Sequence, residues 1–392
     1  MRLPGPPRVP AALLFHAFLL QLAAYIVRPT SAYRAIELGV DPRLVGLIAA
    51  SFALLPLVVA VSIGRWNDSG HVGPSLVIGG LLMTGAGVGV LTWSENLASL
   101  LIWNAVVGLG HLLAIVGQQT LVARLGRERL DSAFGTYTFV GSLGQAAAPL
   151  VLSVVGGSAV LPDTGLLFAI YTGTCVALLA VTGLLAPPGT ADRKPGGGQS
   201  LRSALRVPRT TRRTMTGAML LSMLVLAAVD LIQVYLPALG VEREIPSATV
   251  GVLLAVRAAA TMASRLGLAR LADRVGRTRL AHVSTIVAGA AVGALAVPGP
   301  VVVSGLLLAV AGFALGIGQP LSMSIVTAAA PPGTVSTWLA LRLSGNRVGQ
   351  SLIPAVLSAF TGSIGTGGIF VVTGIGLLGT AAAARFLISD DP

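Results

Sequence analysis

The stretch Gly144-Gln145-Ala146-Ala147-Ala148-Pro149-Leu150-Val151-Leu152-Ser153 returns 205 positions later as Gly349-Gln350-Ser351-Leu352-Ile353-Pro354-Ala355-Val356-Leu357-Ser358. The same offset carries Asp68 onto Asp273 and Gly46 onto Gly251. One offset holding at three separate places reads as a duplicated unit. In a membrane, parallel repeats of this kind build two half-bundles that rock around a central site.

The solvent of this chain is lipid. Hydrophobic residues make up 54% of 392 and charged residues 10%, against about 25% charged in a soluble domain. Mean hydropathy is +0.86. Twelve apolar stretches of roughly 20 residues are each long enough to span a bilayer as a helix. The expected fold is therefore an all-α membrane protein with twelve transmembrane helices in two pseudo-symmetric six-helix bundles. The formal net charge of +12 does not imply nucleic acid, because the arginines follow the membrane topology.

With twelve crossings both termini share one side. Nineteen basic residues fall on that side, among them Arg124, Arg127, Arg129, Arg193, Lys194, Arg265, Arg270, Arg274, Arg277 and Arg279, and three (Arg34, Arg43, Arg243) fall opposite. This bias predicts cytoplasmic termini in the inner membrane. The first apolar run, about Ala11 to Val27, lacks a small-residue cleavage pattern and reads as the first span rather than a signal peptide. Cys175 lies inside the sixth span as a small hydrophobe.

The longest polar stretch, 187–213, carries Pro-Pro-Gly, Gly-Gly-Gly and seven basic residues. It reads as a cytoplasmic linker that touches anionic headgroups and joins bundles 1–186 and 214–392. Gly85-x-x-x-Gly89, Gly312-x-x-x-Gly316 and Gly345-x-x-x-Gly349 let helix backbones approach closely. The sequence holds no GxxxxGK[ST], GxSxG, HExxH or CxxC, so no enzyme activity, metal or cofactor is expected. Without a nucleotide site, uphill transport relies on an ion gradient or exchange.

After the eighth span comes Ala269-Arg270-Leu271-Ala272-Asp273-Arg274-Val275-Gly276-Arg277-Thr278-Arg279. It resembles the loop motif G-x-x-x-D-R-x-G-R-x-[RK] of the major facilitator superfamily, with Ala269 in place of the first glycine. The first-half copy, Gly64-Arg65-Trp66-Asn67-Asp68-Ser69-Gly70-His71, keeps the glycine and aspartate and loses most basic residues. The resemblance covers essentially the whole chain and implies transport by alternating access. It also implies a gating role for Asp68, Asp273, Arg274 and Arg277, in which an aspartate at a helix end meets a neighbouring helix N-terminus and nearby arginines. Helix 5 (Gly141, Gly144, Pro149, Gly156, Gly157) is loosely similar to the superfamily's drug–proton antiporters. Asn104, four residues before Gly108-Leu109-Gly110, stands where those antiporters carry arginine, which counts against their proton mechanism.

The cargo reading comes from intramembrane charge. Of 14 acidic residues only Asp230 lies well inside a span, whereas four arginines do: Arg28, Arg257, Arg342 and Arg347. A mid-bilayer charge costs several kcal/mol and faces a partner or a wet cavity. The surplus guanidinium suggests a cavity for a negative ligand, since its planar fork binds carboxylate bidentately. Arg257 is the leading candidate. Arg342 lies nearer the cytoplasmic end of its span, within snorkelling reach. Polar stripes add Gln21 and Tyr25 beside Arg28, and Asn104, His111 and Gln118 on the fourth span. The resemblance makes spans 1, 4, 7 and 10 the walls of the pathway. The repeat places Gln233 at the equivalent of Arg28, and Asp230 opposite Tyr25.

The expected function is secondary transport of a small organic anion, or an amphipathic molecule bearing a carboxylate. Asp230 would carry the coupling proton or a switching salt bridge. The partners would be that substrate, the proton and membrane lipids, and the protein a monomer. A proton-driven multidrug or metabolite exporter is the alternative. Met215, Met219 and Met223 recur every four residues on the seventh span and raise a copper importer as a lesser one. A non-transporting membrane sensor is a rival from another class.

Overall fold

The computed structural model describes residues 9–41, 44–68, 70–123, 130–185, 207–329 and 335–387. Those residues are almost wholly helical, as a lipid-embedded chain requires, since only a helix satisfies its own backbone there. The first half comprises α1 (Ala11–Glu37), α2 (Gly46–Asp68), α3 (Val72–Trp93), α4 (Leu97–Ala123), α5 (Leu130–Gly156) and α6 (Thr164–Leu185). The second comprises α7 (Arg209–Glu242), α8 (Ser247–Val275), α9 (Arg277–Ala294) and α10 (Val301–Ala329). The run Val335–Leu387 completes it and breaks at Gly365 (φ 67°, ψ 176°) into α11 (335–364) and α12 (365–387). Among the described residues nine helices are long and apolar enough to cross a membrane.

Helix starts follow local chemistry. Pro10, Pro208 and Pro246 immediately precede α1, α7 and α8. Their carbonyls accept from the backbone N–H of Leu14, Arg212 and Val250 at 3.0–3.1 Å, so chain direction is set before the first turn closes. α7 begins at Arg209, inside the stretch 187–213 expected to be linker. The part of that linker at 187–206 lies outside the described residues.

Within the first half, α1 packs on α4, α5 and α6, and α3 on α4 and α6. Within the second, α8 and α9 pack on α10, and α7 packs on α10 and on 335–387. One apolar core lies within the first half, while the core of the second half runs across to Tyr33, Val45 and Leu152 of the first. The halves meet along two seams, α2 with α11 and α5 with α8, and α1 touches α7 between them. The face where α1 and α7 begin is called here the near face, and the opposite one the distal face.

The 205-residue offset recurs in the packing. A Cβ on Gly46 would lie 2.7 Å from the Pro354 carbonyl oxygen and 3.2 Å from Ser358 Cβ. One on Gly251 would lie 2.8 Å from the Pro149 carbonyl oxygen and 2.8 Å from Ser153 Cα. Glycine, proline and serine therefore hold equivalent positions in both seams, and only glycine allows the helices so close. The offset also carries Glu37 onto Glu242. Thr164 at the start of α6 donates to Glu37 at 2.5 Å, and Thr366 at the start of α12 donates to Glu242. Each of these contacts ties two helices within one half. Between the halves, Ser247 N–H donates to the Ala159 carbonyl at 2.7 Å and its hydroxyl to the Gly156 and Ala159 carbonyls at 3.1 and 2.7 Å, which closes the distal face.

The methionines of α7 pack inward. Met219 and Met223 lie against Gly345 and Gly349 of α11, filling the space the missing side chains leave. Cys175 is fully buried in the first half.

Candidate transport cavity

A cavity of about 150 Å³ lies between the halves below the closed distal face. Its wall includes Gln21, Tyr25 and Arg28 of α1, His111 of α4, Gln145 of α5, Asp230 of α7, and Asn346, Arg347 and Gln350 of α11. A smaller pocket continues above it, bounded by Arg28, Phe52, Asn104 and Asp230.

Arg28 and Asp230 form an ion pair across the two halves. The Arg28 guanidinium also rests on the Phe52 ring, 4.4 Å from its centroid, and nears Tyr25 at 5.6 Å. Such stacking spreads its charge over ring quadrupoles. Gln350 Nε2 donates to the other Asp230 oxygen at 2.6 Å. Arg347 Nη1 in turn donates to Gln350 Oε1 at 3.1 Å. One carboxylate therefore serves two guanidiniums, Arg28 directly and Arg347 through a neutral amide, and the wall keeps a net positive charge.

His111 is 6% exposed, lies against Phe52 at 5.6 Å between ring centroids, and neither ring nitrogen has a hydrogen-bond partner among the described residues. A buried imidazole without partners leaves a donor and an acceptor for whatever enters. Gln21 accepts from Gln145 Nε2 at 3.1 Å.

The other expected site residues lie elsewhere. Arg257 is 2% exposed and is not part of the cavity wall. Its Nη2 donates to Gln233 Oε1 at 3.3 Å, Gln233 being likewise buried behind the wall, and its Nε has no acceptor among the described residues. Arg342 is turned into α10, where it donates to Ser322 Oγ at 2.9 and 3.1 Å and to the Gln319 carbonyl and side chain at 3.1 and 2.5 Å. Five donors on a rigid fork match that set of neutral acceptors, so Arg342 ties two helices together.

The polar stripe of α4 divides. Asn104 reaches the upper pocket and exchanges hydrogen bonds with Ser31 at 3.1 and 3.2 Å. Gln118 faces the interior of the first half. There Tyr137 donates to its Oε1 at 2.8 Å, its Nε2 meets His16 Nδ1 at 2.5 Å, and His16 Nε2 reaches Thr182 at 2.9 Å. Helical spacing puts both residues on one stripe, but the stripe is wider than the cavity.

Asp273, Arg274 and Arg277 are exposed at the near-face corner where α8 passes into α9 at Gly276 (φ 84°). The Asp68 side chain lies outside the described residues. Arg265, read from sequence as a near-face charge, is instead half-buried in the α5–α8 seam. It lies ten residues before the end of α8, about 15 Å along the helix, and its Nη1 donates to Ser142 Oγ at 2.5 Å.

Gln145 and Gln350, which complete the wall, were not among the expected site residues. Their signal stood in the repeated stretch itself, where a glutamine holds the same place in both copies. Asn346 carried no such signal.

The sequence pattern that defines the Major Facilitator Superfamily matches residues 13–336 and again 218–392. No curated protein matches the chain. Among solved structures, a POT family transporter in complex with 5-aminolevulinic acid is 14% identical with a TM-score of 0.78, covering 95% of this chain and 94% of that one. A second POT family transporter, with a thioalcohol-conjugated peptide, is 15% identical with a TM-score of 0.73, covering 95% and 94%. The nucleoside transporter NupG is 14% identical with a TM-score of 0.75, covering 97% and 99%. These likenesses concern the fold.

Proposed function

The chain belongs to the Major Facilitator Superfamily of membrane transporters, and on that premise we propose that it moves a small organic anion by proton-coupled alternating access. The single observation that carries the anionic cargo is Arg347. Its guanidinium lines the cavity and donates to the neutral amide of Gln350, whereas Arg28 is matched by Asp230. A charge kept at membrane depth is costly, and a carboxylate seated on it would recover that cost.

In this reading the carboxylate docks on Arg347, and His111 and Gln145 hydrogen-bond the rest of the molecule. Gln21 and Tyr25 complete the near-face wall. A proton arriving at Asp230 would break its pairing with Arg28 and loosen the contact between α1 and α7. The halves, 1–186 and 214–392, would then rock about the two glycine–proline seams, with Asp68, Asp273, Arg274 and Arg277 holding the near face in the opposite state. The arginine bias supports cytoplasmic termini and an inner-membrane location, which makes the near face cytoplasmic. The structural relatives bind 5-aminolevulinic acid and a peptide conjugate, molecules of a size that such a fold accommodates.

Counterflow in proteoliposomes, comparing labelled carboxylates with labelled cationic dyes, tests the proposal. Carboxylate exchange that disappears in Arg347→Gln is the expected result. Exchange of the dyes alone would favour the drug-exporter alternative, and ligand binding without exchange would favour a sensor.

A further inference from the structure

The cavity looks lopsided, with its spare guanidinium on α11 alone, until the repeat is applied to α5. Position 142 is the equivalent of position 347 under the 205-residue offset. Ser142 therefore stands across the pseudo-two-fold axis from Arg347, at the same depth. It carries no charge, but Arg265 reaches it from α8 and donates to its hydroxyl at 2.5 Å. One turn further on, Gln145 lines the cavity as its equivalent Gln350 does on the other side. On one flank Arg347 bonds Gln350 in the wall; on the other Arg265 stands behind the wall on Ser142, one turn from Gln145.

Arg265 resembles Arg347 in another respect. It makes no ion pair among the described residues, and its buried Nε has no acceptor. Arg257, two turns closer to the distal face on the same helix, also leaves Nε without a partner among the described residues. Neither Arg257 nor Arg265 is part of the cavity wall itself; Arg265 approaches it through Ser142, one turn from the wall residue Gln145. A serine hydroxyl satisfies a single donor of a five-donor fork. Positive charge so placed on both flanks fits negative charge at both ends of a ligand.

Resting on the anion-transport reading above, we infer that the cargo is two-headed, an α,ω-dicarboxylate or a molecule with equivalent acidic ends, with one end on Arg347 and the other on Arg265. A carboxylate arriving at Arg265 displaces the Ser142 hydroxyl, exchanging a neutral acceptor for a charged one. The contact between α5 and α8 would then depend on whether the cargo is aboard.

Matched ligand pairs test this with the full-length protein in detergent. Each α,ω-dicarboxylate from four to eight carbons is compared with its own monomethyl ester, which keeps the length and removes one charge. Binding is read by thermal shift titration. The expected result is a preference of about tenfold or more for at least one diacid over its ester, the range of one charge-assisted contact. In Arg265→Gln that ratio falls towards one, and Arg265→Lys restores part of it. A purely structural role for Arg265 would weaken diacid and ester alike and leave the ratio standing, which overturns the inference. Diacids and esters binding equally to the unmodified protein would overturn it too, while leaving the anion reading intact. If no diacid and no ester binds, the anion reading itself falls, and this inference with it.

Discussion

Arg28 of α1 and Asp230 of α7 are joined in an ion pair that bridges the two halves at the top of the cavity. No other ion pair among the described residues crosses between the halves. The pair therefore links charge inside the cavity to the relative position of the bundles. Removing one partner of a buried pair leaves the other uncompensated, at a cost of about 3–5 kcal/mol, so the carboxylate is the informative place to intervene.

Asp230→Asn keeps the size and the acceptor for Gln350 but cannot carry the transported proton. An imposed pH gradient is expected to drive anion accumulation in vesicles of the unmodified protein and not of this variant, while exchange at equal pH persists. Gradient-driven uptake by Asp230→Asn would remove Asp230 from the coupling step.

Gly46→Val and Gly251→Val place a branched side chain where helix backbones touch. Overpacking of this kind costs about 1–3 kcal/mol, and here it falls on the distal-closed state alone. Both variants are expected to fold and to shift labelling of an introduced distal-face cysteine towards greater accessibility. Unchanged labelling would show that the seams open without parting at these glycines.

Arg342→Ala removes four hydrogen bonds to Gln319 and Ser322 and leaves a gap between α10 and α11. The expected outcome is a lower melting temperature, corresponding to about 1–3 kcal/mol, with anion affinity unaltered. A large loss of affinity without loss of stability would return Arg342 to the cargo site.

His111→Phe preserves the aromatic contact with Phe52 and deletes both ring nitrogens. Anion affinity measured by isothermal titration should fall by roughly five- to tenfold, in line with about 1 kcal/mol for a neutral hydrogen bond. Equal affinity would mean that the imidazole faces the cavity without touching its contents.

Much of the architecture could be read from residues alone. The offset found in Gly144–Ser153 showed the duplication, and the structure places its glycine, proline and serine in both seams. Membrane patterning gave the helices, since lipid leaves the backbone few alternatives. The candidate cavity was less legible because side-chain direction is a property of packing. Arg257 sits at mid-span, as expected of a ligand-holding residue, yet its guanidinium is buried and turned to Gln233 rather than into the cavity. Arg265 was counted with the basic residues on the side of the termini, four further arginines following it by Arg279. Its depth became visible only when α8 proved to run unbroken to Val275. Gln145 and Gln350 were quoted as evidence of duplication and passed over as chemistry.

The break at Gly365 has a mechanical corollary. α11 hands over to α12 at a single residue, whereas α5 and α6 are separated by residues 157–163. The second half therefore lacks slack where the first half has it. When α11 leans, α12 must be dragged along like the short arm of a lever, but α5 is free to tilt while α6 stays put. Two modules copied from one ancestor would thus swing with unequal stiffness, the first absorbing the bend and the second transmitting it.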